Sequence, residues 1–192
     1  MALWQSVKGK LFNEAKPPLK GIKRFLCTMK TAITFFVFLQ ISIGTFAQQT
    51  EPPYKRFPTV PPLKLLLTDS STIFTDKQLK KNTPLFFMLF SPDCEHCQKE
   101  TEELIDKIDS FKNIEIVMAT FMPVDKMKEF YNNYKLHRFS NITVGYDMQH
   151  ILATYYRISY TPFLAFYDKK GNLIEGVQGA LPLTKVLEYF RE

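Results

Sequence analysis

Cys94-Glu95-His96-Cys97 puts two thiols three positions apart, with a carboxylate and an imidazole between them. On a helix that spacing brings both sulfurs to one face, so one thiolate can attack a disulfide and the other can attack the mixed disulfide that forms. A structural bridge and half of a zinc site are the other uses of such a pair. Zinc takes about four ligands, and no second C-x-x-C or C-x-x-H pair occurs after position 47. His137 and His150 are isolated and read as packing or surface positions. Dithiol exchange is the preferred reading, with Cys94 as nucleophile and Cys97 as resolving thiol.

The thiolate is the attacking species, and the unpaired N–H groups and positive dipole end of a helix start stabilise it. The chain supplies that position. Leu85 to Phe90 is continuously apolar, as in a strand covered on both faces. Ser91-Pro92-Asp93 breaks the run, and Leu104, Ile105, Ile108 and Phe111 then recur at helical spacing over 94–111, with acids early. The charges at the site conflict: an imidazolium at His96 favours a thiolate, whereas carboxylates at Asp93 and Glu95 oppose it.

Around this junction, 63–68 and 72–75 form a hairpin across Asp69-Ser70-Ser71. Further strands are expected at 114–121, 142–146, 163–167 and 173–178, and helices at 124–136, 149–156 and 182–190. Strands alternating with helices, closed by a late hairpin, give an α/β sheet rather than a bundle or sandwich.

Met29-Lys30, an apolar run to Ile43, and Gly44-Thr45-Phe46-Ala47 have the order of a secretory signal peptide. Because 28 residues precede it, translation is expected to begin at Met29, with 1–28 an upstream segment that is not translated. The alternative is a signal anchor retained in the membrane behind a basic cytoplasmic segment. Cys27 falls before the expected cleavage, leaving Cys94 and Cys97 as the only mature pair. Pro52, Pro53, Pro58, Pro61 and Pro62 mark 48–62 as an extended linker, with the folded domain at 63–192.

The leader also explains the charge. Seven of the 25 basic residues and one of the 19 acidic ones precede Gln48, so the remainder balances at 18 against 18. The net charge of +6 therefore places no positive patch on the folded domain, and nucleic-acid binding loses its support.

These pieces together resemble the thioredoxin-like superfamily, in particular the exported TlpA/ResA-like thiol-disulfide oxidoreductases. The resemblance covers about residues 63–192. It is carried by the apolar strand 85–90, the Cys94-Glu95-His96-Cys97 site, Glu100 three residues beyond it, Thr161-Pro162 before a strand, and the turn Asp168-Lys169-Lys170-Gly171-Asn172. It implies a thioredoxin-like α/β fold, a central mixed sheet flanked by helices. It also implies a cis bond at Pro162, with Thr161 offering backbone to substrate, and a role for Glu100 in tuning or moving a cysteine proton. Glu95 and His96, between the cysteines, are expected at the substrate. Three positions depart from the pattern: Asp93 replaces a tryptophan, Phe163 a threonine, and Met88 the buried aspartate of classical thioredoxins.

The expectation is an enzyme of the periplasm or another extracytoplasmic space, anchored to the inner membrane if the leader is retained. It would reduce disulfides of exported client proteins and be recharged by a thiol electron donor, with no cofactor or metal beyond its own redox-active disulfide. A histidine before the second cysteine resembles the oxidising DsbA-type site, so a disulfide oxidase or isomerase is the alternative. A copper-handling module using Cys94, His96 and Cys97 is another. A peroxiredoxin is disfavoured because Phe87 stands where a proline is expected.

Overall fold

The computed structural model describes residues 51–191. The expected upstream segment, the signal peptide and the first residues of the linker lie outside the described residues. The elements in chain order are α1 (Pro53–Arg56), β1 (Lys64–Leu67), β2 (Ile73–Thr75), β3 (Leu85–Phe90), α2 (Glu95–Asp106), β4 (Glu115–Thr120), α3 (Val124–Asn133), β5 (Ile142–Asp147), α4 (Ile151–Tyr155), β6 (Phe163–Tyr167), β7 (Leu173–Gln178) and α5 (Leu183–Glu188). Seven strands make one mixed sheet in the order β2-β1-β5-β4-β3-β6-β7. The β3–β4 and β4–β5 pairs are parallel; every other pair is antiparallel. This is the expected fold class.

Strand β3 is apolar throughout because it is buried on both faces. Successive side chains alternate between faces. Phe86, Met88 and Phe90 enter one core with Leu104 of α2, Phe130 of α3 and Val186 of α5. Leu85, Phe87 and Leu89 enter the other with Leu152 of α4, Tyr156 and Tyr54. Phe90 lies 4.6 Å from the Phe130 ring on the first face, and Phe87 stacks on Tyr156 at 5.3 Å on the second. Truncating either phenylalanine to alanine would cost about 3–5 kcal/mol. With the sheet fixed between two cores, the end of β3 is a rigid base for whatever follows.

The helices are shorter than their apolar spacing predicts. The 94–111 pattern divides into α2 and a 3-10 turn at Ile108–Phe111, which still buries Phe111. The 124–136 pattern stops at Asn133, and Lys135, at φ 51°, turns the chain into a 3-10 segment that buries Leu136. At the expected 149–156 helix, His150 is left-handed and α4 begins at Ile151, with Asp147 Oδ2 accepting Leu152 N–H at 2.9 Å. Apolar spacing marks which residues are buried, and it does not separate an α-turn from a 3-10 turn that buries the same side chain.

From residue 51 onward, the segment expected as an extended linker packs on the domain. Tyr54 is 8% exposed, its ring 5.5 Å from Phe163 and 5.7 Å from Tyr156. Gly176 makes the room: a Cβ there would sit 2.6 Å from Tyr54 Cε2. Val60 N–H donates to Gly171 O, Leu173 N–H to Pro58 O, and the Tyr155 hydroxyl to Phe57 O at 2.7 Å. A proline-rich strand has few N–H groups to lose, so it suits this edge position. The compact unit accordingly begins at Glu51. Among the described residues no helix is long and apolar enough to cross a membrane.

Candidate active site

Helix α2 starts directly after the buried end of β3, and Cys94 is its N-cap residue. Cys94 N–H donates to Ser91 O at 3.1 Å, and Gln98 N–H donates to Cys94 O at 3.0 Å. Cys97 N–H, one of the helix's unpaired donors, points at Cys94 Sγ at 3.3 Å. Two side chains brace this turn: Gln98 Nε2 donates to Pro92 O and the Thr101 hydroxyl to Cys97 O, each at 2.8 Å. Cys94 is partly exposed and Cys97 is fully buried; both are free thiols here.

The second wall comes from the far end of the chain. Antiparallel pairing of β6 with β3, with Phe163 opposite Leu89, carries the preceding residues over the cysteine turn. The Thr161-Pro162 bond is cis, as the resemblance implies. The Cys94 thiol donates to Thr161 O at 3.4 Å.

The two thiols are driven apart in acidity. Partial burial raises the Cys94 pKa, but hydrogen bonds from the Cys97 thiol and backbone, the Thr161 side chain and His96 N–H outweigh it, leaving a net value below the ordinary 9. Burial, followed by the hydrogen bond shared with Cys94, pushes Cys97 up to about 12. The proton therefore stays on the inner sulfur while the outer one ionises, which fits Cys94 as nucleophile and Cys97 as resolver.

Glu100, one turn after Cys97, is only 5% exposed, unlike a solvated surface acid. Burial is the chief cause that pushes its carboxyl up to about 7; Leu181 N–H opposes the rise and Glu103 adds to it. Its Oε1 has no hydrogen-bond partner among the described residues. Met88 fills the position of the classical buried aspartate with an apolar side chain in the same core as Cys97. Glu100 is the buried carboxyl on α2, one turn beyond Cys97.

Glu95 and His96 lie exposed on the first turn of α2. Asp93 is also exposed and pairs with Lys126 of α3 at 3.9 Å. Among the described residues no group of three or more His, Cys, Asp or Glu side chains could hold a metal, so the copper alternative gains no support from the geometry.

Four contributors were not read from the sequence: Gln98, Thr101, Gln178 and Gly179. The first two are i+4 braces, legible only once the helix start is fixed. The last two reach the cis-proline loop through the β6–β7 register, with Gly179 N–H donating to Pro162 O at 2.8 Å.

Comparison with known proteins agrees with this geometry. The thioredoxin-like domain family matches residues 75–192. The chain belongs to the thioredoxin-like family, and its cysteine pair at a helix start, beside a cis-proline, is the equipment of a thiol-disulfide oxidoreductase. Among solved structures it is similar to a secreted disulfide oxidoreductase of Mycobacterium tuberculosis homologous to Escherichia coli DsbE. That match has 19% identity and a TM-score of 0.55, and covers 66% of this chain and 92% of that one. It is also similar to StoA of Bacillus subtilis, with 17% identity and a TM-score of 0.54 over 70% of this chain and 100% of that one. Peroxidoxin BcpB of Mycobacterium tuberculosis matches at 17% identity and a TM-score of 0.58, over 69% and 94%. At these identities the likeness is one of fold. No curated protein matches significantly by sequence.

Proposed function

We propose that this protein reduces disulfides of exported client proteins. The observation that carries the reading is the pairing of a partly exposed, acidified Cys94 with a buried Cys97 of about pKa 12, under the Thr161 carbonyl. Cys94 thiolate attacks one sulfur of the client disulfide. The client S–S bond breaks, a mixed disulfide forms, and the departing client sulfur takes a proton. Cys97 then gives up its proton and attacks Cys94 Sγ, which releases the second client thiol and leaves Cys94–Cys97 oxidised. The client has gained two electrons and two protons, and a dithiol donor must return them to the enzyme.

Glu100 is suited to receive the Cys97 proton, because a buried carboxyl near pKa 7 exchanges a proton at neutral pH. Thr161 and Pro162 form the client-facing backbone, with Glu95 and His96 on the rim. Reduction rather than oxidation is favoured by the resemblance of the whole domain to the TlpA/ResA-like reductases. The charges beside the pair conflict, since an imidazolium at His96 favours a thiolate and carboxylates at Asp93 and Glu95 oppose it, and a strong oxidant is one whose reduced thiolate is strongly stabilised. Export is supported by the leader pattern and by the secreted character stated for one fold relative. A retained leader would add a membrane anchor.

The test is the reduction potential of the Cys94/Cys97 couple in defined thiol buffers. A value near or below about −270 mV, that of thioredoxin, supports a reductase. A value near about −120 mV, that of DsbA, makes the protein an oxidase or isomerase.

A further inference from the structure

The loop that presents Thr161 to Cys94 is held on both sides by the end of β7. Gln178 Oε1 accepts Ser159 N–H at 3.2 Å, and Gly179 N–H donates to Pro162 O at 2.8 Å. Gly179 adopts φ +91°, where side chains are strained, and a Cβ built there would lie 3.6 Å from Tyr160 Cε2. The Tyr160 ring thus borders a glycine that adds no side chain of its own, and Tyr160 remains 60% exposed. Among the described residues, Phe57, Met148, Ile151 and Ile174 are the other exposed large apolar residues, and of these five only Tyr160 adjoins the residue whose carbonyl meets Cys94 Sγ.

That position determines what the ring can meet. For attack, a client sulfur must come into contact with Cys94 Sγ, which already lies 3.4 Å from Thr161 O. The client residues flanking that sulfur must then run over 160–162. Adjacent Cα atoms are about 3.8 Å apart, so the Tyr160 ring reaches a side chain one or two residues from the client cysteine. A small disulfide with no flanking residues never reaches it.

We propose that Tyr160 is a specificity-determining residue, whose exposed ring takes an apolar or aromatic side chain next to the client's disulfide cysteine. This rests on the disulfide-reducing reading above and narrows the clients to polypeptides with an apolar residue beside the disulfide. The ring supplies the contact, so Tyr160→Phe retains it and Tyr160→Ala loses it.

The experiment follows second-order oxidation of the reduced full-length chain by three substrates: a peptide disulfide with phenylalanine beside one cysteine, the same peptide with serine there, and hydroxyethyl disulfide. Tyr160→Ala is expected to slow only the phenylalanine peptide, by about tenfold, the scale of one aromatic contact. Tyr160→Phe should match the wild type on all three. Equal rates for wild type and Tyr160→Ala on the phenylalanine peptide would overturn the proposal. So would an equal loss on all three substrates, which would make Tyr160 a support of loop geometry. A wild type that reacts with none of them removes the disulfide-reducing reading and this proposal with it.

Discussion

Cys94 Sγ and Thr161 O meet at 3.4 Å across 67 positions of chain, so the reactive sulfur is shared between the start of α2 and the loop before β6. Neither segment makes the site alone. The helix start supplies the Cys97 N–H that favours a thiolate, and the cis-proline loop supplies the Thr161 carbonyl on the other side of the sulfur.

The division of labour between the sulfurs predicts distinct failures. Cys94→Ser should abolish client reduction, by roughly 10³-fold or more, as for loss of a catalytic nucleophile. Cys97→Ser should still attack but stop at the mixed disulfide, which accumulates as a covalent adduct visible by intact mass. An adduct forming equally well on Cys94→Ser would assign the roles the other way round.

Alkylation of the reduced protein should titrate with a midpoint below 9, and all the modification near neutral pH should fall on Cys94. Cys97, near 12 and buried, should react only after unfolding. Mass mapping of iodoacetamide adducts between pH 6 and 9 checks both statements.

Glu100 makes stability depend on pH. Its carboxyl is raised from 4.5 to about 7 in the folded state, so its contribution is intact below pH 4.5. It declines as pH rises through about 7 and is flat above that, when both states are ionised. The loss amounts to about 2 kcal/mol after allowance for screening of a group that is not wholly dry. Urea unfolding of the reduced wild type and Glu100→Gln at pH 5 and pH 8 should show the decline in the first and not in the second. Turnover of Glu100→Gln should also lose the wild type's pH dependence near neutrality, where resolution by Cys97 needs a proton acceptor.

Tyr54→Ala should destabilise the domain by about 3–5 kcal/mol, the cost of emptying a buried aromatic site, because Tyr54 wedges between Tyr156 and Phe163. Chemical denaturation measures it, and a change below 1 kcal/mol would return residues 51–62 to the status of a passive linker.

Lys126→Gln should leave stability within about 0.5 kcal/mol of the wild type, because its ion pair with Asp93 is exposed on both sides. The Cys94 titration should move slightly upward, since Asp93 then opposes the thiolate uncompensated.

Much of the molecule follows from local pattern. The six-residue apolar run of β3 demands two covered faces, and the break at Ser91-Pro92-Asp93 followed by helical spacing puts Cys94 at a helix start. Those are short-range facts, written in hydrophobic period and turn chemistry, and they are enough to single out the pair and to expect Cys94 as its outer thiol. Where the pattern was ambiguous, the reason was physical. A proline-rich stretch looks the same whether it hangs in water or lies along a sheet edge, and only the gap at Gly176 reveals that Tyr54 has a place to go.

What the sequence alone determined, then, was the fold class and the placement of the cysteine pair at a helix start, because burial period and helix starts are properties of neighbouring residues. Tertiary structure alone decided the cis bond at Pro162, the burial of Glu100, the Gln178–Gly179 clamp and the exposure of Tyr160. Each of these depends on strand register and on which helix covers which face, and those are set by packing between residues far apart in the chain.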